Sequence, residues 1–235
     1  MPRWFRLARA LPLWLLPLLA AALACSLSSA APTPNALTQA AATKVAATDA
    51  VAPMVDPCGF ISTSEASTLA GAPAAPPRPL TGGGCIYYDT AITTTGVGLY
   101  VLPAAHAQTF LGQYVPAFQG HGVPIDDKTA KRFADESAAG DMPAAVNDLA
   151  EMTAHMPGYT IQKLAGVGSA ALWSWHTLDQ NQEGVLLGAQ PGALVVMILH
   201  GPLDTQSATA QPAMAALVRR ILDSLPGRFT VPGLP

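Results

Sequence analysis

Between residues 56 and 229 the chain predicts a single domain of the α+β class, an antiparallel sheet packed against helices, and three patterns carry that prediction. Val97, Leu99 and Val101 alternate with Gly98 and Tyr100, the period of a half-buried strand. Two strand-like runs, Gly184 to Ala189 and Ala193 to His200, flank Gln190-Pro191-Gly192-Ala193, a turn in which Pro sets one central residue and Gly the next. The closing segment from about Ala210 to Leu225 places Met214, Leu217, Val218, Ile221, Leu222 and Leu225 on one face of a helix, ended by Pro226-Gly227. Such a helix covers a sheet.

The chain before this domain reads as an address. Arg3, Arg6 and Arg9 precede an uncharged run of 15 residues, Ala10 to Ala24, the layout of a signal peptide over residues 1–24. The run is too short for a spanning helix, which needs about 20 apolar residues, and Pro12 and Pro17 weaken it as a permanent one. Ala21-Ala22-Leu23-Ala24-Cys25 resembles the lipobox of bacterial lipoproteins, with Ala at position 22 where Leu is usual. The resemblance implies a diacylglyceryl group on the Cys25 thiol, cleavage before Cys25, and a membrane partner reached through that lipid. An ordinary secretory leader cut after Ala24 or near Ala30 is the alternative. Residues 25–55 are rich in Ala, Ser, Thr and Pro and carry only Lys44 and Asp49 as charges, so they bury too little surface to order themselves and read as a disordered tether.

The elements of the domain follow in order. Ser62 and Glu65 make a capping box that opens a short helix through Ala70, and Gly71 is placed to stop it. Pro73 to Pro79 reads as a loop and Gly82-Gly83-Gly84 as a turn rather than a phosphate loop, since no Lys or helix start adjoins it. Cys85 to Asp89 reads as a strand. Pro103 starts a helix whose Phe110, Leu111, Tyr114, Val115 and Phe118 recur at helical spacing as core. Residues 120–160 concentrate charge and read as an acidic insert of one or two short surface helices. Ser169 to Trp175 is a further strand, and residues 230–235 are a tail. Strand, strand, helix occurs in both halves, which hints at an internal duplication.

Cysteine usage agrees with an extracytoplasmic address. With Cys25 lipidated, Cys58 and Cys85 remain as a pair that reads as a disulfide in an oxidising compartment; two free buried thiols and half of a metal site are the alternatives. Removing the leader leaves nine basic against 15 acidic residues, a net charge of minus 6, which argues against nucleic acid as a partner.

The run Asp56-Pro57-Cys58-Gly59-Phe60-Ile61, the helix with Glu65 and Ala66, the segment Gly84-Cys85-Ile86-Tyr87-Tyr88 and the segment Gly166 to Trp173 together resemble a class of bacterial envelope lipoproteins. The likeness spans most of residues 56–225. It implies a lipidated Cys25, a bonded Cys58 and Cys85, and a domain of mixed helix and antiparallel sheet, and it implies no activity, because that class has none in common. The acidic insert lies outside its pattern.

Chemical signatures are sparse. No GxSxG, S-x-x-K, HExxH or GxxxxGK[ST] motif is present, so no catalytic residue, metal ligand or cofactor is assigned and an enzyme is not expected. His106, His121, His155, His176 and His200 are dispersed and read as surface or hydrogen-bonded residues. That reading reverses if folding sets His176 beside His200 and a carboxylate such as Asp179 or Asp204. Trp173 and Trp175 lie two apart on a strand and so share a face, opposite Ser174 and His176. They are the candidate ligand-binding surface, the alternative being that both fill the interface of sheet and helix. The function expected is a lipid-anchored binding or interaction module for a small apolar ligand or an envelope protein. An accessory role in an envelope complex and an unrecognised cell-wall or lipid hydrolase are the alternatives.

Overall fold

A computed structural model of the chain describes residues 52–88, 95–113, 125–178 and 181–234. The leader, Cys25 and the tether to residue 51 lie outside the described residues, as do Asp89, Tyr114, Val115, Phe118, His121 and Asp179.

Seven strands form one sheet: β1 (Arg78–Leu80), β2 (Gly84–Ile86), β3 (Gly96–Pro103), β4 (Tyr159–Lys163), β5 (Ala170–Leu178), β6 (Asn181–Gln190) and β7 (Ala193–Pro202). Their order is β1-β2-β3-β7-β6-β5-β4, and every neighbouring pair is antiparallel. Among the described residues, five helices cover it: α1 (Thr63–Ala70), α2 (Ala104–Leu111), α3 (Asp127–Ala139), α4 (Met142–Thr153) and α5 (Ser207–Ser224). The α+β class read from the sequence is the class observed.

Local chemistry explains the element ends. Ser62 accepts from the Glu65 N–H while Glu65 accepts from the Ser62 N–H at 2.7 Å, and Gly71 ends α1 at φ 67°, a left-handed turn that glycine adopts without cost. Gln190 pairs with Ala193 across the expected turn, whose Gly192 has φ 84°. α5 begins three residues before the apolar stripe and tolerates Pro212 in its second turn.

Period-two alternation sorts the sheet residues onto two faces, and both are covered. On one, Val97, Leu99, Val101, Trp173, Leu186, Val195, Met197 and Leu199 pack with Ala66 and Leu69 of α1 and with Met214, Val218, Ile221 and Leu222 of α5. On the other, Leu102, Leu172, Leu187, Leu194 and Val196 pack with Leu111 of α2, Phe133 of α3 and Val146 and Leu149 of α4.

This three-layer arrangement corrects several sequence readings. β3 is a central strand buried on both faces, because Tyr88 lies over Gly98 and Phe110 stands 5.5 Å from Tyr100. The acidic insert is not simply surface: α4 buries Met142, Ala145, Val146, Leu149 and Met152 against the sheet. Even Asp148 is buried there, and Arg132 of α3 donates to both its oxygens. β1 occupies part of the Pro-rich loop, which an edge strand permits, and β4 begins within the end of the insert as the other edge. The internal duplication fails on geometry. The twofold that would exchange antiparallel β3 and β7 runs perpendicular to the sheet and keeps each face to itself, whereas α2 and α5, which follow those strands, pack on opposite faces. The folded unit also extends past residues 56 and 229: Met54 bridges Thr230 in parallel, and Val231 is 4% exposed.

Among the described residues, no helix is long and apolar enough to cross a membrane.

Candidate functional site

Cys58 and Cys85 form the disulfide, with Cα atoms 5.1 Å apart. It joins the 3-10 turn Pro57–Gly59 to β2. Tyr87 donates from its hydroxyl to the carbonyls of Cys58 and Ile61, at 3.1 and 2.7 Å, and fastens the same turn. Burial, and then the charges of Asp56 and Glu65, push the Tyr87 phenol up to about 12, so it remains a donor.

Trp173 and Trp175 share one face and stack, with ring centroids 5.6 Å apart. They do not form an open aromatic surface. Trp173 is 1% exposed within the core beneath α5, and its indole N–H donates to the hydroxyl of Ser207, the first residue of that helix, at 3.3 Å. Trp175 is half-buried against the same cluster. The pair fits the space over β6 because residue 184 is glycine: a β-carbon there would stand 2.7 Å from Trp173 and 2.9 Å from Trp175. Trp173 thus seats the start of α5, and Trp175 packs beside it.

The start of α5 is one wall of a groove of about 380 Å³. Its other wall is the end of α1, with Thr68, Leu69 and Gly71, and the loop after β7 closes it with Pro202, Asp204 and Thr205. Thr209, Ala210 and Ala213 face it from α5. The lining is largely apolar with hydroxyls at intervals, and the volume lies at the small end of ligand-binding clefts. Beyond the groove α1 and α5 are clamped by Arg220, which donates to Glu65 at 2.7 Å and to the Phe60 carbonyl at 2.8 Å. This hydrogen bond, the Ser62 N–H and the Arg220 charge together bring the Glu65 carboxyl down to about 2.

On the other face, folding does unite the two distant histidines with a carboxylate. His176 of β5 is the cross-strand partner of Glu183 of β6, which is the partner of His200 of β7. The carboxylate is Glu183, not Asp204, and Asp179 lies outside the described residues. Glu183 Oε2 is 2.6 Å from His200 Nε2, and since a carboxylate only accepts, Nε2 carries the proton. Glu183 Oε1 is 3.6 Å from His176 Nε2, beyond hydrogen-bond length. The His176 side chain is 7% exposed and its Nδ1 is buried with no hydrogen-bond partner. Burial lowers its proton affinity, and His200 lowers it further, against the pull of Glu183.

Two tyrosines close the row. Tyr159 of β4 lies against His176 with ring centroids 4.0 Å apart, and Tyr88 lies 5.4 Å from His200. Burial first and then the Glu183 charge raise both phenols above their ordinary range, so both stay protonated. Among the described residues, no serine, threonine or cysteine is hydrogen-bonded to either imidazole, and no group of His, Cys, Asp and Glu side chains is placed to hold a metal ion. The row as it stands is one carboxylate between two imidazoles, with a phenol beside each.

Sequence reading missed the register that builds it. The signal was available in the turn: counting seven positions outward from Gln190 and from Ala193 sets Glu183 opposite His200.

No family model, no curated protein and no solved structure matches this chain.

Proposed function

We propose that this chain is a lipid-anchored, extracytoplasmic binding module, held to a bacterial cell membrane through Cys25, whose groove between α1 and α5 receives a small, largely apolar ligand. The groove carries the reading. Leu69, Pro202, Ala210 and Ala213 offer apolar contact, and the hydroxyls of Thr68, Thr205 and Thr209 offer hydrogen bonds to orient what enters. The address is supported by the Arg-rich leader ending in Cys25 and by the resemblance to bacterial envelope lipoproteins. The Cys58–Cys85 disulfide supports an oxidising compartment. Acyl chains contribute about 0.8 kcal/mol per buried methylene, so two or three of them give a stable anchor. The residues between Cys25 and the domain, which begins before Met54, then join lipid to domain.

The test is native mass spectrometry of the mature lipoprotein extracted from its host's envelope, beside an Ala213→Trp variant. Ala213 is exposed on α5 and lines the groove, so the indole fills the cleft without entering the core. The expected result is an extra mass on the wild type that denaturation releases and that the variant lacks. A wild type of bare mass overturns the ligand reading and favours docking of an envelope protein.

A further inference from the structure

The histidine row and the groove lie on opposite faces of the sheet, yet they share the ends of β6 and β7. Gln182 precedes Glu183 and is the cross-strand partner of Gly201, which follows His200. The Gln182 side-chain amide donates to the Leu203 carbonyl at 3.4 Å. Thr205, which lines the groove, packs so closely over Gly201 that a β-carbon there would collide with its hydroxyl. A shift of either strand end therefore displaces the loop Pro202–Gln206, which forms part of the groove wall.

We propose that His176, Glu183 and His200 form a proton sensor that loosens this loop on acidification, so that ligand held in the groove is released as pH falls. The release rests on the groove being the binding site; the coupling of row to loop does not.

Charge balance supplies the mechanism. Near neutral pH the row holds one carboxylate, bonded to the Nε2–H of His200, and a buried His176 whose Nδ1 has no partner. A carboxylate neutralises one imidazolium. A second proton leaves a net positive charge within the row, at a side chain 7% exposed to water, and separation of the strand ends relieves it by admitting solvent. Among the described residues, the groups that face the row do not compensate. Tyr88 and Tyr159 remain neutral phenols, and β3 presents Gly96 opposite His200. The acids of α4, Asp148 and Glu151, are held by Arg132 and Lys163. α2 carries His106 at the far end of β7, where the Ala104 N–H donates to the Gly192 carbonyl. α3 pairs its Lys131 with its own Asp135, and its Glu136 lies in the field of Asp148 and Arg132. Among the described residues, Glu183 and His200 are the charges that act on His176, whose proton affinity burial lowers.

Hydrogen–deuterium exchange of the mature protein at about pH 7.5 and about pH 5, corrected for intrinsic rates, tests the coupling across the histidine range. Protection of the amides from Leu199 to Gln206 is expected to fall about tenfold, the effect of one unit of proton linkage, while α4 keeps its protection. His176→Phe leaves one imidazole for one carboxylate and is expected to abolish the response. Should that variant not fold, NMR titration of the wild-type imidazoles decides the matter: His176 and the Thr205 amide are expected to share a midpoint. Loop protection that is independent of pH, a response that survives in His176→Phe, or separate midpoints overturn the sensor. The response is read from backbone amides and needs no ligand, so a protein that proves to bind nothing leaves the coupling standing.

Discussion

Trp175 and Gly184 are cross-strand partners on β5 and β6, and the six-membered ring of the tryptophan occupies the place where a side chain at 184 would stand. Trp173, fixed in the core and hydrogen-bonded to Ser207, cannot retreat, so a methyl group at 184 must push Trp175. Gly184→Ala is expected to cost about 1–3 kcal/mol, the range for overpacking a filled site. The measurement is urea denaturation together with the emission maximum, which should shift to the red as Trp175 turns outward. Gly227→Ala, where a β-carbon meets nothing within 4 Å, is the control and should leave both unchanged. Equal effects of the two substitutions would mean that the stack does not depend on glycine 184.

The disulfide makes a second prediction, and it concerns the denatured chain as much as the native one. Cys58 and Cys85 are 27 residues apart, and closing a loop of that length removes about 3.5 kcal/mol of conformational freedom from the unfolded state in the chain-entropy model. Because Cys85 is wholly buried, the suitable variant is Cys58→Ala with Cys85→Ala, which introduces no hydroxyl into the core. Tyr87 still ties the turn at Cys58 and Ile61, so the domain is expected to fold with a lower urea midpoint. Its m-value should rise, since the unlinked chain exposes more surface. A lower midpoint with unchanged m would place the cost in native packing instead.

The frame of the fold was readable where residues act locally. Ser62 and Glu65 announce α1 because a cap needs only its own turn, and Gln190 to Ala193 announces the β6–β7 hairpin for the same reason. β1 and β4 were missed because edge strands lack the pattern used to find strands. Pro79 sits where one ladder is absent, and β4 leaves Thr160, Gln162 and Lys163 exposed. The helices of the insert were legible, but the burial of α4 was hidden by its neighbours in sequence, since the charges of α3 dominate the window while Met142, Val146 and Leu149 point inward. The tryptophans were correctly placed on one face, but α1 and α5, distant in sequence, decide that the face is closed. The histidine row depends on two successive registers, β5 with β6 and β6 with β7, and is invisible to any motif of fixed spacing.

The clamp between α1 and α5 makes the last prediction. Glu65 has its carboxyl lowered to about 2 by Arg220 and Ser62. A carboxyl lowered in the native state binds protons more readily when unfolded, so its contribution to stability is complete above its ordinary value of 4.5 and disappears as pH falls toward 2. Glu65→Gln keeps a side chain able to complete the capping box and removes only the charge that meets Arg220. The gap in urea midpoint between wild type and variant is therefore expected to be constant from neutral pH down to about 5 and to close as pH falls below it. Since Glu65 and Arg220 are both partly exposed, added salt should narrow the gap at neutral pH as well. A gap that persists at acid pH would show that Glu65 acts through its cap on α1, and that the groove walls are joined by packing rather than by the ion pair.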